Sequence, residues 1–231
     1  MKTPLSLRTG LTATLLCLLA LAAGDASAAS LAVNGWTLGE SVNVIYGVHT
    51  GDVTTAELKL GTGGTSGFGY CVDLAQNIGP GTTSGWDLRS QSAFSDSIVR
   101  AAWLVDTFQP NLGSFVQPGV TRATAIAALQ VSIWEVMSEP TGEYDLFDGS
   151  FALAQDGGAS DGVLSLSRSF LSQLNGADLS GYTTNAIWAV SRTQQDQLFF
   201  GRVNPIPEPS TVLLYAFGAA LVAFSLRRQI S

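Results

Sequence analysis

The chain has 231 residues, of which 46% are hydrophobic and 13% charged, and its formal net charge is −7 at pH 7. That acidic balance, with no basic run in the central region, excludes nucleic acid as a partner on charge grounds. The hydrophobic share is high for a domain with so few charges, and it directs attention to apolar segments at the two ends.

The first segment is N-terminal. Met1 to Arg8 is basic, Leu11 to Ala23 is an apolar run, and Ala26-Ser-Ala28 supplies small residues at a cleavage position. Residues 1–28 therefore read as a secretory signal peptide, with the exported chain starting near Ala29. Cys17 lies within the apolar run and leaves with it. Cys71 is then the single cysteine of an exported chain, so no intrachain disulfide can form. A lone exported thiol can be a small buried hydrophobe, half of an intermolecular disulfide, a nucleophile, or half of another covalent bond.

From there the pattern runs strands, helices, strands. Ser41 to Val48 and Val53 to Leu60 alternate and are β-branched, with Thr50-Gly-Asp52 as the turn of a hairpin. Gly61 to Gly69 is a glycine-rich loop, Phe68 to Leu74 a short strand carrying Cys71, and Asn77 to Gly85 a further loop. Ser95 or Ser92 caps a helix that ends before Pro110. A second helix starts near Thr121 and stops before Pro140. Tyr144 to Gly162 is acidic and Gly-rich but lacks the spacing of a calcium loop, so it reads as solvated and no metal or other cofactor is expected. Val163 to Leu174 forms a third helix before Asn175-Gly176. Thr184 to Val190 and Gln197 to Val203 are closing strands. The order predicts an α+β domain over 29–203, its terminal β-strands pairing in one sheet or barrel around a helical insertion.

Within the second helix, Ile126, Gln130 and Trp134 form one row beside Ala123, Ala127, Val131 and Trp134. Gln130 thus falls on or beside the face that is buried. A carboxamide there needs hydrogen-bond partners, since an unsatisfied polar group costs about 1–3 kcal/mol. A neighbouring backbone can supply them. A chemical use is also open, because a thiolate that reaches the side-chain carbonyl can displace ammonia and leave a Cys71–Gln130 thioester.

The C-terminal end has three parts: Asn204-Pro-Ile-Pro-Glu-Pro-Ser210, an apolar run over 211–226, and a basic end at 227–231 that begins Arg227-Arg228. The run is slightly short for a comfortable span, the Arg stems can extend it, and the paired Arg belong on the cytoplasmic side. Pro207-Glu208-Pro209, the span and the basic end together resemble the PEP-CTERM sorting signal of Gram-negative bacteria. The resemblance implies an exosortase, a membrane protease, as partner, transient anchoring of the C-terminal helix in the inner membrane, and delivery to the cell surface or extracellular matrix.

A second resemblance covers the centre. Tyr70-Cys71-Val-Asp73 on a short strand, with Leu129-Gln130-Val-Ser-Ile-Trp134 on a later helix, is similar to the thioester domains of bacterial surface adhesins. In that family Cys and the Gln of a T-Q-x-A motif are joined side chain to side chain. Leu129 stands here where the motif has Thr, and Ser132 where it has Ala. The resemblance implies a Cys71–Gln130 bond that a surface amine or hydroxyl opens, leaving the protein covalently attached in one event without turnover. Tyr70, Trp103 and Trp134 are the aromatics expected to wall the pocket and keep water from the acyl carbon. The alternative is a non-reactive structural or matrix protein in which Cys71 and Gln130 are core residues. An enzyme is not expected: the single histidine, His49, sits near a hairpin turn, no nucleophile-elbow sequence is present, and the acids cluster in loops without recognisable spacing.

Overall fold

The structure is a computed structural model that describes residues 29–63, 65–139, 143–155 and 157–201. The expected signal peptide at 1–28 and the tail from 204 onward, including Pro207, Glu208, Pro209, Arg227 and Arg228, lie outside the described residues. Among the described residues no helix is long and apolar enough to cross a membrane.

Among the described residues, seven strands and three α-helices make an α+β fold. The strands are β1 (Ala29–Tyr46), β2 (His49–Thr62), β3 (Thr65–Cys71), β4 (Gly81–Arg89), β5 (Phe151–Leu153), β6 (Ile187–Val190) and β7 (Gln197–Gly201). The helices are α1 (Asp96–Phe108), α2 (Arg122–Ser138) and α3 (Asp161–Asn175), with short 3-10 turns at Gln91–Ala93 and Gln109–Phe115. Every strand pairing is antiparallel, and the order β2-β3-β7-β6-β4-β1 returns to β2, so six strands close into a barrel with β5 added on the outer part of β1. Closure leaves those six strands fewer free edges. Register breaks at Val33/Gly35 and Leu38/Ser41 bend β1 between its two partners, as bulges do.

The first hairpin is longer than its alternation suggests. Its loop is Gly47-Val48, not Thr50-Gly-Asp52, because Gly47 takes the positive φ of 60° that a two-residue hairpin loop needs at its first position. With Tyr46 opposite His49, Thr50, Gly51 and Asp52 simply continue the ladder against Ile45, Val44 and Asn43. The glycine-rich stretch before Cys71 is also mostly strand. The acidic segment 144–162 holds a buried Phe-Ala-Leu run that forms β5.

Two apolar cores result. Leu31, Val33, Leu58, Leu60, Trp86 and Phe199 fill the barrel. The other lies between the barrel wall and the helices, where Tyr70, Leu104, Phe108, Leu129, Phe151 and Phe170 meet. At the centre of this second core runs α2, buried from Thr124 to Val136. A helix that is apolar on nearly every side belongs in an interior, and its Ala125, Ala127 and Ala128 allow close neighbours. One such neighbour is β1 at Gly39, where an added Cβ would stand 3.0 Å from both Ala127 N and Ile126 Cγ2.

One carboxylate ties β1 to two helix starts. Thr121 caps α2, its hydroxyl accepting from Thr124 N at 3.1 Å while its own N–H donates to Thr124 Oγ1 at 2.9 Å. Ser160 caps α3, accepting from Val163 N at 3.3 Å. Glu40 accepts from the Thr124 hydroxyl through Oε1, and from the Ser160 hydroxyl through Oε2 at 2.7 Å. An anion there also faces the positive ends of both helix dipoles. Glu40→Ala should lower unfolding stability by about 1–3 kcal/mol, read as a fall in the denaturant midpoint with an unchanged slope. A loss no larger than that of an exposed-site control such as Val116→Ala would show that the caps hold without the carboxylate.

Candidate functional site

The site begins where two strands part. The β2–β3 ladder runs from Thr62 opposite Thr65 to Leu58 opposite Gly69 and stops there. On its other edge β3 stays paired with β7 as far as Cys71 opposite Gln197, and Val72 N donates to Asp196 O at 3.0 Å. Successive residues of a strand send their N–H and C=O to alternate sides. The backbone groups of Cys71 therefore face the edge that β2 has left.

Gln130 fills that edge. Its Nε2 donates to Cys71 O at 2.7 Å, and its Oε1 accepts from Cys71 N at 3.2 Å. The carboxamide thus presents to Cys71 the donor and acceptor that a strand residue would have presented. Both are needed, because Gln130 is buried and an unpaired amide there would be costly.

The Cys71 side chain is half-buried beside the barrel core. Its cross-strand partner Gln197, fully buried, donates from Nε2 to Cys71 Sγ at 3.4 Å and to Gln195 O at 2.9 Å. Burial pushes the Cys71 thiol up to about 12; the Gln197 hydrogen bond opposes that rise and the Asp73 charge adds to it. The sulfur is therefore a protonated thiol at neutral pH. Gln197 Oε1 and Trp134 Nε1 are buried polar atoms without a hydrogen-bond partner.

Cys71 and Gln130 open onto one groove of about 410 Å³, which Trp134 and Gln195 also line, and Trp36 and Leu38 form its rim. Of the residues expected at the site, Cys71, Gln130 and Trp134 share this groove. Tyr70 and Trp103 are not among its lining residues. Strand alternation sends Tyr70 to the opposite face of β3 from Cys71, where its hydroxyl donates to Glu57 Oε2 at 3.0 Å. Trp103 lies on α1 and packs edge-on to Phe108, ring centroids 5.9 Å apart. Leu129 is buried among the helices, and Ser132 bonds the Ala128 carbonyl at 2.8 Å, so neither motif departure faces the groove.

His49 lines a neighbouring hollow and not the one holding Cys71. Sequence reasoning missed Gln197, Gln195, Asn77 and Trp36. For Gln197 a signal existed: a carboxamide opens the otherwise apolar run Leu198-Phe-Phe200. Among the described residues, no group of three or more His, Cys, Asp or Glu side chains is placed to hold a metal ion.

Comparison with protein-family models, with curated proteins and with solved structures found no match.

One more buried group on α2 titrates abnormally. Glu135, next to Trp134, is fully buried, and neither carboxylate oxygen has a hydrogen-bond partner. Burial raises its pKa from 4.5 to about 8; the nearby Asp145 backbone opposes this, and the charges of Glu139 and Asp145 add to it. Between those two values the folded protein holds a proton that the unfolded chain has released, so stability falls as pH rises through that window and levels off above it. Melting temperature should accordingly drop between about pH 5 and about pH 8, and Glu135→Gln should flatten much of that slope. An unchanged slope in the variant would place the proton elsewhere.

Proposed function

We propose that this is an exported protein of the cell surface or extracellular matrix whose Cys71 and Gln130 form an internal thioester. The observation that carries the proposal is the docking of the Gln130 carboxamide on the Cys71 backbone, within a groove that also holds the Cys71 side chain. Two residues 59 apart in sequence are brought together through hydrogen bonds between the Gln130 carboxamide and the Cys71 backbone, which reduces the entropic cost of bringing the reacting side chains together. In forming the bond, Cys71 sulfur adds to Gln130 Cδ, the C–N bond breaks, and the nitrogen leaves as ammonia with the thiol proton.

The surroundings suit a stored acyl group. A site that disfavours free thiolate makes Cys71 a reluctant leaving group, which slows hydrolysis. When an amine or hydroxyl does attack, the Gln197 N–H is placed to support the departing sulfur. The product is a protein fixed to its target through Gln130, with Cys71 a free thiol. No turnover follows, so the protein is an adhesive and not an enzyme.

A second reading has its own support: the two hydrogen bonds give both polar atoms of the Gln130 carboxamide a partner, as a structural strand substitute requires. Intact mass separates the two. The exported domain purified in amine-free buffer should be lighter by one ammonia than its sequence, and the deficit should vanish in Cys71→Ala and in Gln130→Ala. A mass equal to the sequence in fresh material would leave the structural reading.

The address is proposed on the Pro207-Glu208-Pro209 tail. Removing residues 211–231 should release the domain in soluble form, whereas the intact chain in cells lacking the exosortase should stay in the inner membrane. Surface display that survives the deletion would remove the sorting role.

A further inference from the structure

The groove above Cys71 and Gln130 does not end there. Asp52, Val53 and Asn77 line it and also line the adjoining hollow of about 310 Å³, which continues to Tyr46, His49 and Thr50. The two hollows therefore form one cleft running along the face of the first hairpin. Its chemistry is uneven in an informative way. Trp36, 44% exposed, and Leu38, 54% exposed, stand at one end, and Tyr46 with His49 at the other. Between them are neutral hydrogen-bonding side chains, Asn77, Gln195 and Thr54, which both donate and accept. No Lys or Arg lines either hollow, and Asp52 is the one carboxylate.

A cleft without a cation repels polyanions and disfavours uronate, phosphate or sulfate chains. Aromatic faces separated by amides and hydroxyls suit a ligand whose units alternate apolar C–H faces with rings of hydroxyls. A hydrocarbon would pair with none of these polar groups, at about 1–3 kcal/mol for each one buried without a partner; Gln195 Nε2 already donates within the protein, to Asp73 O. A cationic peptide would find a single carboxylate, Asp52, already accepting from Asn43 Nδ2 at 2.9 Å.

We infer that the cleft binds a segment of neutral polysaccharide, one sugar face stacked on Trp36, and presents a hydroxyl of that chain to the Gln130 acyl carbon. The covalent half rests on the proposed thioester, whereas the reversible binding does not. In the covalent step the hydroxyl oxygen bonds to Gln130 Cδ, the C–S bond breaks, and the hydroxyl proton ends on the Cys71 sulfur. The products are an ester and a free thiol.

The test uses the full chain in detergent and a set of neutral hexasaccharides, the β-1,4-glucan, β-1,4-xylan, α-1,4-glucan and N-acetylglucosamine series, with pentalysine and a hexauronate as comparisons. Calorimetry on Cys71→Ala, which cannot form the thioester, should show at least one neutral hexasaccharide binding with a Kd of about 1 mM or tighter. Trp36→Ala should weaken that binding by about ten-fold or more, Trp36→Phe should keep most of it, and Val116→Ala should leave it unchanged. The wild-type chain should in addition gain the mass of that sugar through a linkage cleaved by mild base.

Reversible binding of a neutral hexasaccharide with neither a mass gain nor the deficit of one ammonia would remove the thioester and leave the sugar site standing. A mass deficit of one ammonia with no neutral hexasaccharide bound would keep the thioester and overturn the sugar site. Binding of pentalysine alone, lost in Asp52→Asn, would also overturn it and assign the cleft to an amine. Equal loss in Trp36→Phe and Trp36→Ala would remove the stacking role.

Discussion

A side-chain amide standing in for a missing strand is the contact on which the rest of this structure depends. Once β2 leaves β3 after Gly69, the backbone of Cys71 has no ladder partner on that side, and an unpaired buried peptide group is costly. Gln130 resolves this from a helix, and in doing so it fixes how α2 approaches the barrel. With its one-residue reach set by the carboxamide, α2 must run close against β1, which the small residues Gly39, Ala127 and Ala128 permit. The groove is the space that this parting of strands leaves open. The approach of the buried helix to the barrel and the opening of the site therefore share one origin, the exchange of a strand for a side chain.

That arrangement also explains why polar residues gather in an apolar interior. Gln197 lies in the barrel opposite Cys71, Gln195 holds the Asp73 carbonyl, and Asp73 Oδ2 accepts from Asp196 N at 3.4 Å. These groups link the chain after β3 to the turn before β7. Polar networks in low dielectric are rigid when satisfied and costly when not. Here satisfaction is nearly complete around Cys71, with Gln197 Oε1 and Trp134 Nε1 the exceptions. Burial keeps the sulfur protonated even though the Gln197 amide favours the thiolate.

Much of the helical layer was legible. Of the two candidate caps Ser95 and Ser92, Ser95 is the N-cap, and the second helix starts where expected, with Thr121 its cap; apolar spacing and Pro110 or Pro140 mark where the helices stop. The anomaly of Gln130 on a buried row was legible too, because one polar residue stands among apolar neighbours. The barrel's strand order was not, since pairing of β3 with β7, and of β4 with β6, depends on contacts far apart in sequence that no local pattern encodes. Tyr70 shows a different failure. Period-two alternation already separates it from Cys71, but an aromatic beside a cysteine invited the opposite reading. Trp36 and Asn77 carried no signal because each becomes notable only once the hairpin folds over the strand carrying Cys71.

The ends of the barrel carry a mechanical meaning. Ala32 lies opposite Gly61, Gly61 opposite Ser66, and Gly67 opposite Gly201, whereas Cys71 lies opposite Gln197. The described chain thus starts and finishes at one rim, and the groove opens about 13 Å further along β7, at some 3.3 Å per residue. A pull applied beyond Gly201 while Gln130 is held by a target would run lengthwise along β7. That strand is flanked on both sides, by β3 and β6, so the load would fall on two ladders in shear, with their hydrogen bonds resisting together instead of opening one at a time. A joint built this way resists traction along its axis far better than peeling across it.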